Sequence, residues 1–194
     1  MSNRLILLML ILWGFNSDKQ VHAQSPVFLG EDLVFYLSDS LCVMRGVYHF
    51  LNPTETRVKT RLFYPFPVSD SLPFPDKVEV LSLDTGTHPL LLGSLNGVSF
   101  ILEIEPLEES SFQVEYWQSA EHHVFEYILT STQEWGRALE WASYEIHVPD
   151  HLRLEYCSLA VDTSWLEIEK TVYSIYRENY LPRQDFELRW GSIK

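Results

Sequence analysis

Apolar and polar residues alternate with a period of two along most of the chain after Val27. That period marks a pleated strand with one buried face, because successive side chains leave a strand on opposite sides. The alternation predicts strands at 32–38, 41–51, 57–64, 77–83, 98–105, 111–118, 123–131, 142–148, 152–158, 170–176 and 185–190. Aromatic and β-branched residues fill these runs, as pleated surfaces prefer. Breakers separate them, among them Asn52-Pro53, Pro65-x-Pro67, Pro73-x-Pro75, Asn96-Gly97 and Pro149-Asp150. The plausible helical piece is short, Glu134 to Glu140, and Gly136 argues against its being long. No strand–helix–strand alternation occurs, which excludes a parallel nucleotide-binding sheet. The pattern therefore predicts an all-β fold: an antiparallel β-sandwich of about ten to eleven strands, immunoglobulin-like or related.

Two local readings refine this. Asn96-Gly97 lies between two apolar runs and predicts a hairpin closed by a type I′ turn, in which both central residues take positive φ. Arg57, Lys59 and Arg61 stand at alternate positions of the segment that follows Asn52-Pro53. If 41–51 and 57–64 form a hairpin with Leu51 opposite Arg57, then Val58, Leu62 and Tyr64 share the buried face and the three cations turn outward. The register one residue away mixes cations with aromatics, so burial selects the first.

The first residues change the picture of compartment. One cation, Arg4, precedes an apolar run from Leu5 to Phe15, and Val21-His22-Ala23 suits a signal peptidase. The expected division is a signal peptide over 1–23 and a single β-sandwich domain over 24–194. An uncleaved anchor is the alternative, but the apolar run falls short of the roughly 20 residues a span needs. No other segment is long and apolar enough for a membrane helix. The expected location is secreted or periplasmic.

Net charge is −13 at pH 7. Losing Arg4, Lys19 and Asp18 with the leader leaves 12 of the 14 basic and 26 of the 27 acidic residues. Such a surface repels phosphate backbones and anionic lipid, so nucleic acid is not an expected partner. Two cysteines, Cys42 and Cys157, could form one disulfide in an oxidising compartment or remain two buried thiols.

Sites for chemistry are few. His122-His123 are adjacent and so point to opposite faces of a strand, while Pro149 interrupts His147 and His151. His147 and His151 at i, i+4 would share a helix face and could bind zinc there, but in this strand-end context both pairs are read as surface or strand-end histidines. Glu103 and Glu105 share a strand face, as do Glu167 and Glu169, but none is marked as buried in apolar surroundings, as a catalytic acid would be. Glu103 and Glu105 are read instead as a solvated face opposite basic residues such as the Arg57 comb. No G-x-S-x-G turn is present. The aromatics are the unusual feature, with six Trp, ten Tyr and eleven Phe. Tyr116 and Trp117 face opposite ways on a regular strand, so one of them is off the core. Trp117, Trp135 and Trp141 are the candidate exposed aromatics, and Arg57, Lys59 and Arg61 a candidate docking stripe.

The segments VYHFLNPTETRVKTRLFYPFP (47–67), FQVEYWQ (112–118), FEYILTSTQEW (125–135), ASYEIHVP (142–149) and ENYLPRQDFELRW (178–190) resemble a pattern in exported bacterial proteins of uncharacterised families. The resemblance touches most of the chain after the leader. It implies an extracytoplasmic β-sandwich with no assigned activity, and it carries over no catalytic residue. The expected function is a non-catalytic interaction or structural module of the cell envelope, with a protein or glycan partner and no cofactor. The alternatives are a carbohydrate-binding module using exposed aromatics and a secreted hydrolase using Glu or His.

Overall fold

The computed structural model describes residues 25–193; the expected leader and its cleavage point lie outside the described residues. The first strand shows how the alternation becomes a layer. In β1 (Val27–Leu37), Leu33, Phe35 and Leu37 are buried, while Asp32, Val34 and Tyr36 are partly open on the other face. The same rule shapes β2 (Leu41–Leu51), β3 (Val58–Pro65), β4 (Lys77–Ser82), the two-residue β5 (Leu92–Gly93), β6 (Gly97–Ile104) and β7 (Glu109–Ser119). After β8 (Val124–Tyr127) come two turns of 3₁₀ helix, Thr130–Trp135. Then follow β9 (Leu139–Pro149), β10 (Leu152–Cys157), β11 (Thr163–Glu167), β12 (Lys170–Tyr180) and β13 (Phe186–Ser192).

One layer is a seven-stranded sheet in the order β11-β12-β9-β1-β2-β7-β4. Two three-stranded sheets, β10-β13-β8 and β3-β6-β5, cover its inner face. Aromatic side chains join the layers. Phe35 of β1 meets Phe125 of β8 and Phe186 of β13, with ring centres 5.8 and 5.0 Å apart. Phe112 of β7 meets Phe100 of β6 at 5.0 Å, edge to face. Such contacts add to the area that aromatics bury. The sandwich is thus all-β, as the pattern predicts, with one departure: β1 and β9 run parallel, from Gly30 opposite Trp141 to Tyr36 opposite His147. Parallel neighbours need a long connection, and everything from β2 to the 3₁₀ helix serves as one.

The expected hairpin between 41–51 and 57–64 does not form. β2 pairs with β1 and β7, and β3 crosses to the other layer to pair with β6. Asn52 fixes the crossing. It is fully buried, and its Nδ2 donates to the carbonyls of Thr56, Ile104 and Glu105 at 2.8–3.1 Å. Its Oδ1 accepts from the Thr54 amide and hydroxyl. The loop is tied to the end of β6, so the chain leaves the first sheet rather than folding back on it. The faces are nevertheless those expected: Leu62 and Tyr64 are buried, and Arg57, Lys59 and Arg61 are exposed.

Three smaller expectations shift. The short helix lies at Thr130–Trp135, not 134–140, and cuts the strand expected over 123–131; Gly136 ends it at φ 69°. β5 and β6 form the hairpin expected at Asn96-Gly97, but Leu95 and Asn96 are its central residues, and neither Asn96 nor Gly97 takes positive φ. Gly97 is required there for closeness instead: a Cβ would collide with the Tyr64 carbonyl and lie 2.6 Å from the Phe63 ring. Cys42 is buried in the seven-stranded sheet and Cys157 closes β10 in the other layer; both thiols are free, so the bridge weighed for them is not formed.

Candidate functional site

One inward position of β1 breaks the apolar rule. Glu31 is in phase with Leu33, Phe35 and Leu37 and is only 2% exposed. A strand begun at 32 hides it; the two-residue period carried back one step from Leu33 places it inside. A bulge at Leu29, between the pairs Phe28–Phe50 and Gly30–His49, sets this phase. Glu31 corrects the expectation that no acid is held in apolar surroundings. Tyr144 of β9 donates its hydroxyl to Glu31 Oε1 at 2.8 Å. Burial raises the Glu31 carboxyl to about 7; the Tyr144 bond opposes that rise, and neighbouring Asp32 adds to it.

Beside it, three tyrosine hydroxyls from three strands converge. Tyr48 Oη lies 2.6 Å from Tyr64 Oη and 2.8 Å from Tyr127 Oη. Burial pushes all three phenols well up, so they are neutral at any ordinary pH. Glu31, these tyrosines, Phe28 and Trp135 line a cavity of about 70 Å³ between the layers. Among the described residues the buried polar side chains are Glu31, Asn52, Ser110, Gln118 and Thr132; no buried cation faces the acid. A groove of about 720 Å³ runs between β3 and the 3₁₀ helix and shares Leu62, Phe63, Pro65, Ile128, Ser131 and Trp135 with the cavity. Arg61 and Arg137 also line it.

The predicted aromatics are not brought together. Trp135 ends the 3₁₀ helix and packs edge-on against Phe28 and Phe50, at 5.8 and 5.2 Å, on the inner side of the sheet. Trp117 and Trp141 both lie on the outer face, with β1 and β2 between their strands and six residues of register between their rows. Tyr116 is fully buried where Trp117 is not, as their opposite directions predict. Lys77 Nζ sits 4.3 Å from the centre of the Trp117 ring. Of the basic comb, Arg57 bonds Glu103 and Glu105 at 2.8 and 3.0 Å, and Lys59 bonds Glu103 at 2.5 Å. Lys59 and Arg57 hold the Glu103 carboxyl below its ordinary value. This is the charge-balanced strand face expected of Glu103 and Glu105. Arg61 makes no ion pair among the described residues and lies on the groove.

A second constellation, not anticipated from sequence, lies on the outer face. His49 Nε2 is 2.9 Å from Asp32 Oδ2, and its Nδ1 is 2.9 Å from Ser111 Oγ. An Nε2–H tautomer donates to the carboxylate and accepts from the hydroxyl, the order of a serine–histidine–acid relay. Acyl transfer also needs donors aimed at a developing oxyanion. Here the Ser111 amide points at the Asp84 carboxylate, 3.3 Å from each oxygen, and Ser110 also donates to Asp84. The Ser111 amide is thus already engaged by a carboxylate. That amide is not free to donate to an oxyanion.

No protein-family model and no curated protein matches the chain, in keeping with a family without an assigned activity. Solved structures do match in fold. A "putative nutrient binding protein" from Legionella pneumophila aligns with TM-score 0.69 at 12% identity, over 85% of this chain and 66% of its own. A zinc metallopeptidase of the M1 class from Deinococcus radiodurans aligns with TM-score 0.50 at 9% identity, over 84% of this chain and 42% of its own. A two-domain M1 zinc metallopeptidase gives 0.52 at 10% identity, over 86% and 42%. This chain therefore spans just under two thirds of the first of these proteins and less than half of the others. At these identities the likeness is one of fold. No group of three or more His, Cys, Asp or Glu side chains placed to hold a metal occurs among the described residues.

Proposed function

We propose that the chain is a non-catalytic binding module of the cell envelope, exported by its N-terminal segment, and that its ligand enters between the two layers at the β3–helix groove. The observation that carries this reading is the aromatic cavity with one buried acid at its end. The aromatic residues lining it come from six strands and the 3₁₀ helix, so the whole fold shapes it. A cavity built this way suits recognition, where apolar walls and a few placed polar groups set specificity. The likeness to a protein called nutrient-binding points the same way. The outer-face serine–histidine–aspartate relay, facing Asp84, gives no support to hydrolysis.

The test is a thermal-shift screen of the purified protein against small organic ions and neutral compounds, with Trp135 fluorescence as a second readout. Ligands that raise the melting midpoint and perturb Trp135, and lose both effects in Trp135→Leu, are the expected result. Turnover of an ester or glycoside abolished by Ser111→Ala or by a single Glu substitution would sink the non-catalytic reading. Cell fractionation with N-terminal sequencing tests export, for which the expected first residue is Gln24.

A further inference from the structure

We propose that the cavity at Glu31 is a binding site for a small alkylammonium group, primary to quaternary, held by the buried carboxylate and the surrounding ring faces. The inference deepens the binding-module reading and rests on it.

The cavity holds an acid without a partner cation. A carboxylate taken out of water without a partner cation costs several kcal/mol, and such groups are paired or neutralised. Glu31 has one hydroxyl donor in Tyr144 and no buried cation among the described residues. The remaining inward positions of β1 are apolar and pack into the aromatic core. A leucine there would fill the same row without the penalty. Proteins tolerate such local inconsistency at sites of function.

The chemistry of the walls then narrows the ligand. Phe28, Tyr48, Phe50 and Trp135 face the same space as Glu31. Ring faces carry negative electrostatic potential and attract cations, most strongly where water is excluded. An anion would meet those faces and the carboxylate with repulsion from both. A neutral apolar group would gain nothing from the acid. At about 70 Å³ the cavity has room for a small ammonium head. The tail would lie along Leu62, Phe63 and Trp135 in the adjoining groove. The groove's own charges are mixed, Arg61 and Arg137 with Glu134, and Arg137 is already bonded to Glu140 at 3.2 Å. The chain as a whole, at −13, draws cations.

Binding an ammonium requires Glu31 ionised. The groups that face or act on it are Tyr144 and Asp32, then Tyr48, Tyr64, Tyr127 and Tyr180, with Arg177 acting on Tyr144. The tyrosines stay neutral, so Glu31 is the group that titrates in the cavity near neutrality.

Calorimetry of the protein with methylammonium, tetramethylammonium and, as a neutral isostere, tert-butanol tests this at about pH 8. A preference for a cation over tert-butanol, lost at least about tenfold in Glu31→Gln, is the expected result. That variant keeps an oxygen to accept from Tyr144 and removes a buried charge, so its fold is preserved. A readout in the unaltered protein stands beside it: near pH 7 each cation bound should release about half a proton, measured as buffer-dependent heat. Binding without proton release, or with equal affinity in Glu31→Gln, overturns the inference. If tert-butanol binds as well as either cation, the ammonium assignment fails while the binding-module reading stands. If none of the three binds and the broader screen is also empty, both fail.

Discussion

At Glu31 a single side chain makes stability depend on pH. Its carboxyl is raised to about 7 when folded, against an ordinary 4.5 in the open chain. A raised folded value means that the stability tied to this group is fully present below about 4.5 and is lost as pH rises toward 7. The loss should approach about 3 kcal/mol, since each tenfold change in proton affinity is worth roughly 1.4 kcal/mol. Urea titrations at pH 5 and pH 8 check it: unfolding free energy should fall between them in the parent and much less in Glu31→Gln. A flat profile in the parent would refute the assignment. Asn52 supplies the opposite case, a buried polar side chain with every bond made. Asn52→Ala leaves two or three carbonyls unmet and should cost about 2–4 kcal/mol by chemical denaturation. Both residues are partly open to a sequence reader. Asn52-Pro53 is legible as a break, but a break does not say which carbonyls its side chain will reach. Glu31 is legible by phase, and a strand begun at 32 starts one residue too late to include it.

Elements are more legible than their partners. β2, β3, β6, β7 and β9 lie close to their predicted spans, because burial on one face writes the period of two into the sequence. Neither β5, two residues long, nor β11, exposed along its whole length, has that imprint, and the alternation anticipates neither. Pairing is harder still, since a strand's inner face records that it is buried and not against what. β3 shows this: its pattern foretells its faces and not its neighbour. Of the basic comb, Arg57 and Lys59 are exposed and bonded to Glu103 and Glu105, so these pairs should add little. Lys59→Ala should leave the melting midpoint near that of the parent, and any loss should vanish in about 1 M salt, where screening is nearly complete. A large loss that persists in salt would show that the comb matters through packing. The turn at Gly136 is less forgiving. At φ 69°, Gly136→Ala should cost about 1 kcal/mol through left-handed backbone strain, and because that turn carries Trp135 it should also weaken ligand binding at the groove.

For the whole molecule, the seven-stranded sheet and its two-part cover divide the surface into regions of different use. The outer face holds the His49 relay, Trp117 and Trp141 among polar neighbours, while the site proposed for ligand opens at the boundary between layers. Ligand binding there should therefore tie the layers together, and protection from hydrogen exchange should rise on both β1 and β3 when the cavity fills. Protection confined to the loops would argue for an outer-face site instead.

The parallel seam between β1 and β9 reaches beyond the finished fold. Glu31 and Tyr144, which meet across it, are 113 positions apart. β1 is synthesised before β9, so one of its two edges stays open until β9 has been made. Nascent chains halted before Leu139 should thus be cut readily by protease, and chains carried through β13 should resist it. The 113-residue separation across that seam should make its closure a slow step of folding.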